Sequence, residues 1–248
     1  MVGVESEIVR LCRHIERDNK VKILFAVENG SRAWGMQSHN SDYDVRFVFV
    51  HPLERYIALR PPLAVIDHTM GLFDVVGFDV MKFLKLLAAS NPTVIEWLVS
   101  DCVYVGEQPA PLRRFALRQC NPASLYHHYR SLCRKNFEKY IVSGKKPTMK
   151  KYLYVFRGLV NALYVAQFKK VPPIRLDRAI AKVALPERIR SELLLLLDRK
   201  RHARELDRME HAGLLCRFVK DFLAHTQVVA ARSPTVALLD EWLHTLLL

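Results

Sequence analysis

The sequence has no Cys-x-x-Cys pair, no long apolar run and no acidic surplus, and each absence excludes a class of protein. The five cysteines (Cys12, Cys102, Cys120, Cys133 and Cys216) are odd in number and widely spaced. Neither a disulfide framework nor a zinc ribbon has that pattern, so we expect reduced, mostly buried thiols in a cytoplasmic protein. The longest purely apolar stretches, Leu193–Leu197 among them, are five residues, far short of the roughly 20 residues that span a bilayer. The opening segment MVGVESEIVRLCRHIERDNK is charged throughout, unlike a secretion signal. No membrane partner is expected. Internal repeats, low-complexity tracts and the signatures of RRM, KH and zinc-knuckle modules are also absent.

What is present is ordinary for a globular protein. The chain has 248 residues, half of them hydrophobic and a quarter charged, enough for one large domain or two small ones. Lys and Arg number 38 against 25 Asp and Glu, a formal charge of +13. A surplus of that size favours a polyanionic partner such as nucleic acid or nucleotide phosphate.

Residues 5–17 carry a helical apolar stripe, and residues 21–27, 43–50 and 73–80 read as short strands. Between the first two strands lies a polar loop or short helix with two glycines. Residues 53–60 form a helical turn ended by Pro61-Pro62, and residues 81–90 and 93–100 are helical. From about residue 112 helical periods dominate, near 112–118, 123–142, 148–168, 175–183, 186–204, 206–225 and 235–247.

One constellation carries chemistry. Gly30-Ser31 follows the first strand, where glycine permits a sharp turn and where hydroxyl and backbone N–H groups can hold phosphate oxygens. Asp42 and Asp44 then stand at i and i+2 on or entering the second strand. Period two puts them on one face, about 7 Å apart, a pairing suited to Mg²⁺. Arg46 continues that face, placed to neutralise Asp44 or phosphate. Strand pairing asks for a third acid from a neighbour. Asp74 inside the third strand needs a reason to be there, since an unpaired buried charge is costly. Asp79, before the helix, is the natural N-cap and the runner-up.

This pattern resembles the DNA polymerase β-type nucleotidyltransferase superfamily. GSRAWG (30–35), SDYDVRF (41–47), DVVGFDVMKFLKLL (74–87), NPTVIEWL (91–98) and KKYLYVFRGL (150–159) together resemble its bacterial and phage branch associated with RNA repair. Met81 departs from that pattern, which has a basic residue there. The resemblance implies an α+β fold: a small mixed-sheet nucleotidyltransferase domain (1–110) followed by an α-helical domain (111–248). It implies that Asp42, Asp44 and Asp74 bind two Mg²⁺ ions, with Mn²⁺ as a substitute, and that Asp74 helps activate an acceptor hydroxyl. Gly30 and Ser31 would hold the β- and γ-phosphates of a nucleoside triphosphate such as ATP, with Arg32 and Arg46 beside them. Lys82, and Lys150, Tyr154 and Arg157 at i, i+4 and i+7 on one helix face, would close on the triphosphate or base.

The implied reaction moves an NMP to an acceptor hydroxyl, RNA by charge and family association. A protein hydroxyl (AMPylation) or a small molecule is the alternative within the same chemistry. A non-catalytic nucleic-acid-binding protein on a transferase scaffold is the rival of another class. Trp34 is read either as a base-stacking ring or as a plug beneath the Gly-Ser loop, and Glu28 as the partner of Arg32 or of a backbone amide. His127-His128 is read as packing or surface, and Glu96 and Trp97 as structural. Residues 134–157, basic with interleaved aromatics, form the candidate nucleic-acid surface.

Overall fold

The computed structural model describes residues 2–143, 147–202 and 212–248. Lys145-Lys146 within the expected nucleic-acid surface, and the chain around 203–211 within two expected helices, lie outside the described residues. A mixed five-stranded sheet and twelve α-helices make up the described chain, an α+β fold with a helical part. No helix among the described residues is long and apolar enough to cross a membrane.

The chain forms two compact units. The first comprises the residues up to Ala33, Asp42–Cys120 and Ser233–Leu248. Its strands β1 (Lys22–Asn29), β2 (Tyr43–Val50), β3 (Val65–Asp67), β4 (Phe73–Asp79) and β5 (Val103–Gly106) run in the order β3-β4-β2-β1-β5. Only β2 and β4 pair in parallel; the other three pairs are antiparallel. Helix α1 (Val2–Asn19) buries Ile8, Leu11, Cys12 and Ile15, spaced i, i+3, i+4 and i+7, against Val45, Phe47, Phe49 and Val75 of the sheet. A four-residue turn of helix, α2 (Gly30–Ala33), follows β1, and another, α3 (Leu53–Tyr56), follows β2.

Helices α4 (Val80–Ala88) and α5 (Pro92–Val99) pack on the sheet through Phe83, edge-on to Phe25 at 5.9 Å, and Trp97, 4.7 Å from Phe78. Asp79 caps α4 by accepting from the Met81 amide, and Asn91 caps α5 by accepting from Thr93. Helices α6 (Ala110–Gln119) and α12 (Ala237–Leu247) pack together, with Leu239 of α12 buried.

The second unit takes Trp34–Ser41 and Asn121–Arg232. It holds α7 (Pro122–Asn136), a π-helical turn (Phe137–Val142), α8 (Met149–Phe168), α9 (Leu176–Lys182), α10 (Glu187–His202) and α11 (Gly213–Ala224). Helix α8 is its core: every residue from Val155 to Ala166 is buried, the mark of a helix surrounded by neighbours. At Gly158 the backbone of α7 comes so close that a Cβ would lie 2.7 Å from the Cys133 nitrogen.

This division departs from the expected boundary at 110/111 in three places. Helix α6 packs on α5 and the C-terminal α12 packs on α6, so both stay with the sheet unit. Residues 34–41, read as part of the first domain, pack in the second. Met36 is buried in that unit's core, the Leu176 amide donates to the Trp34 carbonyl, and the buried Lys200 ammonium donates to Ser38 Oγ at 2.9 Å.

Candidate active site

The sheet register builds the site. Asp44 on β2 is in register with Asp74 on β4 and, on its other side, with Asn29 at the end of β1. Directly paired residues point to the same face, so Asn29, Asp44 and Asp74 form one row across three strands. Along β4 the alternation is regular: Phe73, Val75, Gly77 and Asp79 are buried, whereas Asp74, Val76 and Phe78 are half-buried.

Arg46, two residues along the same face, ties the carboxylates together. Its Nη2 donates to Asp44 Oδ1 at 3.2 Å and to Asp74 Oδ2 at 2.8 Å. Its Nη1 donates to the carbonyls of Val45 and Asp74. Burial pushes the Asp74 carboxyl up, but the Arg46 guanidinium, helped by Asp44 and Thr69, outweighs it and holds Asp74 below the usual carboxylate range. Arg46 is thus the one cation that spans both side chains.

Gly30 opens the space in front of Asp44. Its φ is +64°, and a Cβ there would sit 1.8 Å from Asp44 Oδ2. Only glycine tolerates both the left-handed backbone and that approach. Ser31 is buried in the turn that follows. Arg32 clamps the turn to the next strand: its Nε donates to the Asp42 carbonyl at 3.1 Å and its guanidinium lies 3.8 Å over the Tyr43 ring.

Behind the row stands Glu28, 2% exposed. Its carboxylate accepts from the Asp44 amide and from the Tyr104 hydroxyl. The amide was one of the two partners read from sequence. Burial pushes Glu28 up to about 7, against those two hydrogen bonds and with the Asp44 charge adding to the rise.

Other expected residues go elsewhere. Asp42 precedes β2 and is exposed. Asp79 is five residues from Asp74, hence on the opposite face, and both its oxygens are used, by the Met81 amide and by the Tyr56 hydroxyl. Lys82 lies over Phe78 and lines a pocket of about 470 Å³ with Tyr56, Asp79 and Lys85, which contains none of Asp42, Asp44 and Asp74.

In the second unit Arg157 is 6% exposed, its guanidinium 3.6 Å over the Trp34 indole. Trp34 also meets Tyr154 edge-on at 5.7 Å and packs against that unit's core. Lys150 and Tyr154 line a different pocket from the one at Lys82. His127 and His128 are exposed, Glu96 and Trp97 buried, and all five cysteines free.

Sequence reasoning missed Asn29. Its Oδ1 is buried and has no hydrogen-bond partner among the described residues. Its place immediately before Gly30 was the available signal.

Among the described residues no three His, Cys, Asp or Glu side chains are grouped closely enough to hold a metal by themselves. The row nevertheless fits Mg²⁺, which takes one or two carboxylates and completes its shell with water and substrate phosphate. Asp44 and Asp74 are such a pair, and the orphaned Asn29 oxygen is a third hard donor in the same row.

The model of the RNA repair pathway DNA polymerase beta family (RlaP) matches residues 4–247. The chain belongs to this family. Membership points to nucleotidyl transfer as the kind of activity. The chain is also similar to the uncharacterized protein YcgL of Bacillus subtilis, with 33% identity over 223 residues, 88% of this chain and 84% of that one. It is similar to the uncharacterized protein MJ0002 of Methanocaldococcus jannaschii, with 30% identity over 147 residues, 56% of this chain and 58% of that one.

Proposed function

We propose that this protein is a Mg²⁺-dependent nucleotidyltransferase that moves an NMP from a nucleoside triphosphate to an acceptor hydroxyl of RNA. The observation that carries the reading is the Asp44–Asp74 pair, side by side on β2 and β4, bridged by Arg46 and opened by Gly30. Family membership supports the chemistry, and the +13 charge favours a polyanionic acceptor.

Asp44 and Asp74 would hold Mg²⁺, with Asp42 joining from the turn before β2. The metal would neutralise the charge that develops on the attacking and leaving oxygens. The protein's own part is positional. The glycine turn leaves room for phosphate beside Asp44, and Ser31 and the backbone N–H groups of that turn receive the β- and γ-phosphates. Arg32 holds the turn against Tyr43, which keeps the phosphate seat and the Asp44 strand in one frame. Arg46 holds Asp74 ionised and keeps both side chains aimed. The acceptor oxygen forms its bond to the α-phosphorus as the bond to the pyrophosphate oxygen breaks, and Asp74 takes the hydroxyl proton.

The test is transfer of label from each α-labelled nucleoside triphosphate, with Mg²⁺, into total RNA and total protein. Asp44→Asn should lower transfer by about three orders of magnitude, as loss of a charge-stabilising group does. Label entering protein instead of RNA would replace the acceptor. No transfer into either pool, with no Mg²⁺-dependent triphosphate binding, would overturn the reading in favour of a non-catalytic binding scaffold.

A further inference from the structure

Helix α12 presents more apolar surface than the chain covers. Leu238, Leu239, Trp242, Leu243, Leu246 and Leu247 stand at i, i+1, i+4, i+5, i+8 and i+9, one stripe of the helix, yet of these only Leu239 is buried. Between α12 and α6 lies a groove of about 490 Å³, lined by the buried side chains of Phe115 and Leu239 and by the half-buried Trp242. Leu238, which also lines it, is 45% exposed. An apolar stripe left open to water marks an interaction surface.

The two walls carry opposite charge. Helix α6 holds Arg113, Arg114 and Arg118 and no acid, whereas α12 holds Asp240 and Glu241 and neither Lys nor Arg. All five are exposed, and Arg114, Arg118 and Glu241 border the groove itself. On a chain with a formal charge of +13, self-association is opposed over the surface in general. A helix with two adjacent acids beside an apolar stripe is a local exception, and the surface it fits is basic with apolar ground between the charges. Helix α6 is such a surface, with Leu117 exposed among its arginines. One chain thus carries both halves of a match. A second copy related by a two-fold axis satisfies both at once, α12 on α6 and α6 on α12. Any other partner would have to supply both signs in the same arrangement.

We propose that the α6–α12 face is where two copies of this chain meet, as a two-fold dimer with Glu241 of each copy against Arg114 of the other and the Leu238 and Trp242 side chains between them. None of the residues of the proposed active site lies on α6 or α12, so dimer and transfer stand or fall separately.

The full chain is followed by sedimentation at graded concentrations. Wild type should show twice the mass of one chain, falling to the monomer on dilution. Arg114→Glu and Glu241→Arg should each raise the dimer Kd about tenfold or more, since like charges then face each other at both contacts. Arg13→Glu on α1, which changes net charge as much as Arg114→Glu, should leave Kd unchanged. Mixed in equal amounts, the Arg114→Glu and Glu241→Arg chains should recover a dimer of near wild-type affinity. In the mixed pair each of the two contacts between positions 114 and 241 again joins unlike charges.

A monomer at every concentration, or a series of masses beyond the dimer, overturns the proposal. So does a dimer that neither charge variant weakens, or that Arg13→Glu weakens as much. Weakened variants that mixing does not restore also overturn it, because the charges would then pair within one chain. Leu238→Asp, which sets a charge on the apolar stripe, replaces either variant that does not melt cooperatively. It should give the monomer, and an unchanged dimer counts against the proposal.

Discussion

The two units build charged sites by opposite means. In the sheet unit the carboxylates of Asp44 and Asp74 are set by strand register and neutralised from within by Arg46. In the helical unit Lys150 and Lys151 stand in a pocket wall that has no carboxylate among the described residues. The first site is a rigid row, because a one-residue slip in β2 or β4 would turn an acid to the other face. The second depends on side chains packed around one turn of helix. A row whose charge is balanced internally is ready to take a cation together with an anionic substrate.

The sharpest way to break the comparison is at Gly30. Gly30→Val forces a side chain into the Asp44 carboxylate and should cut NMP transfer by about two orders of magnitude or more, as a misplacement near 1 Å does. The variant should still melt cooperatively. Steady-state transfer and thermal unfolding separate the two.

The helical unit breaks differently. Gly158→Val meets the α7 backbone and should cost about 3 kcal/mol of stability, an overpacking penalty. The measurement is denaturant unfolding, with transfer per folded molecule retained.

Trp34→Ala strips the cover from the buried Arg157 guanidinium and empties its place against the core. A loss of about 2–3 kcal/mol is expected by the same measurement. Recovery with Trp34→Phe would show that the ring itself is what counts.

Arg46→Met sharpens the idea of internal neutralisation. Asp44 and Asp74 then repel each other, so stability should fall by about 1–2 kcal/mol, discounted because Asp74 is 40% exposed. Added Mg²⁺ should raise the melting temperature of this variant more than that of the wild type.

The smallest effect concerns pH. Burial pushes Asp177 up, but Arg175, the Arg178 amide and Arg201 outweigh it and hold it below its ordinary value of 3.8. A depressed folded pKa contributes stability above the unfolded value and loses it as pH falls through the folded one. The melting difference between wild type and Asp177→Asn should therefore be full at neutral pH and close below about pH 4. A difference that grows on acidification would reverse the sign of that interaction.

Much of the sheet unit is legible in sequence because period two is a strong local signal. Asp44 with a partner acid on the next strand, the Gly30 turn and the Asp79 cap all follow from it. Strands β3 and β5 escape notice because three or four residues show no period. Asp42 stands one residue before β2, at the strand entry that the spacing allowed.

On α8 the spacing of Lys150, Tyr154 and Arg157 is correct, yet it cannot tell a solvent face from a buried one in a helix covered on every side. Arg157 belongs to the buried part. Residues 34–41 read as a loop of the sheet unit because the burial of Met36 and the stacking of Trp34 depend on helices more than a hundred residues away in sequence.

The central claim is that the Asp44–Asp74 row transfers nucleotides, and one measurement tests it most directly. Wild type and Asp44→Asn/Asp74→Asn are each given α-labelled and γ-labelled ATP with Mg²⁺ and total RNA. The account predicts α-label in RNA, γ-label released in pyrophosphate, and neither with the double variant, which should still melt cooperatively. Equal transfer of α-label by the double variant, or retention of γ-label in the product, would contradict it.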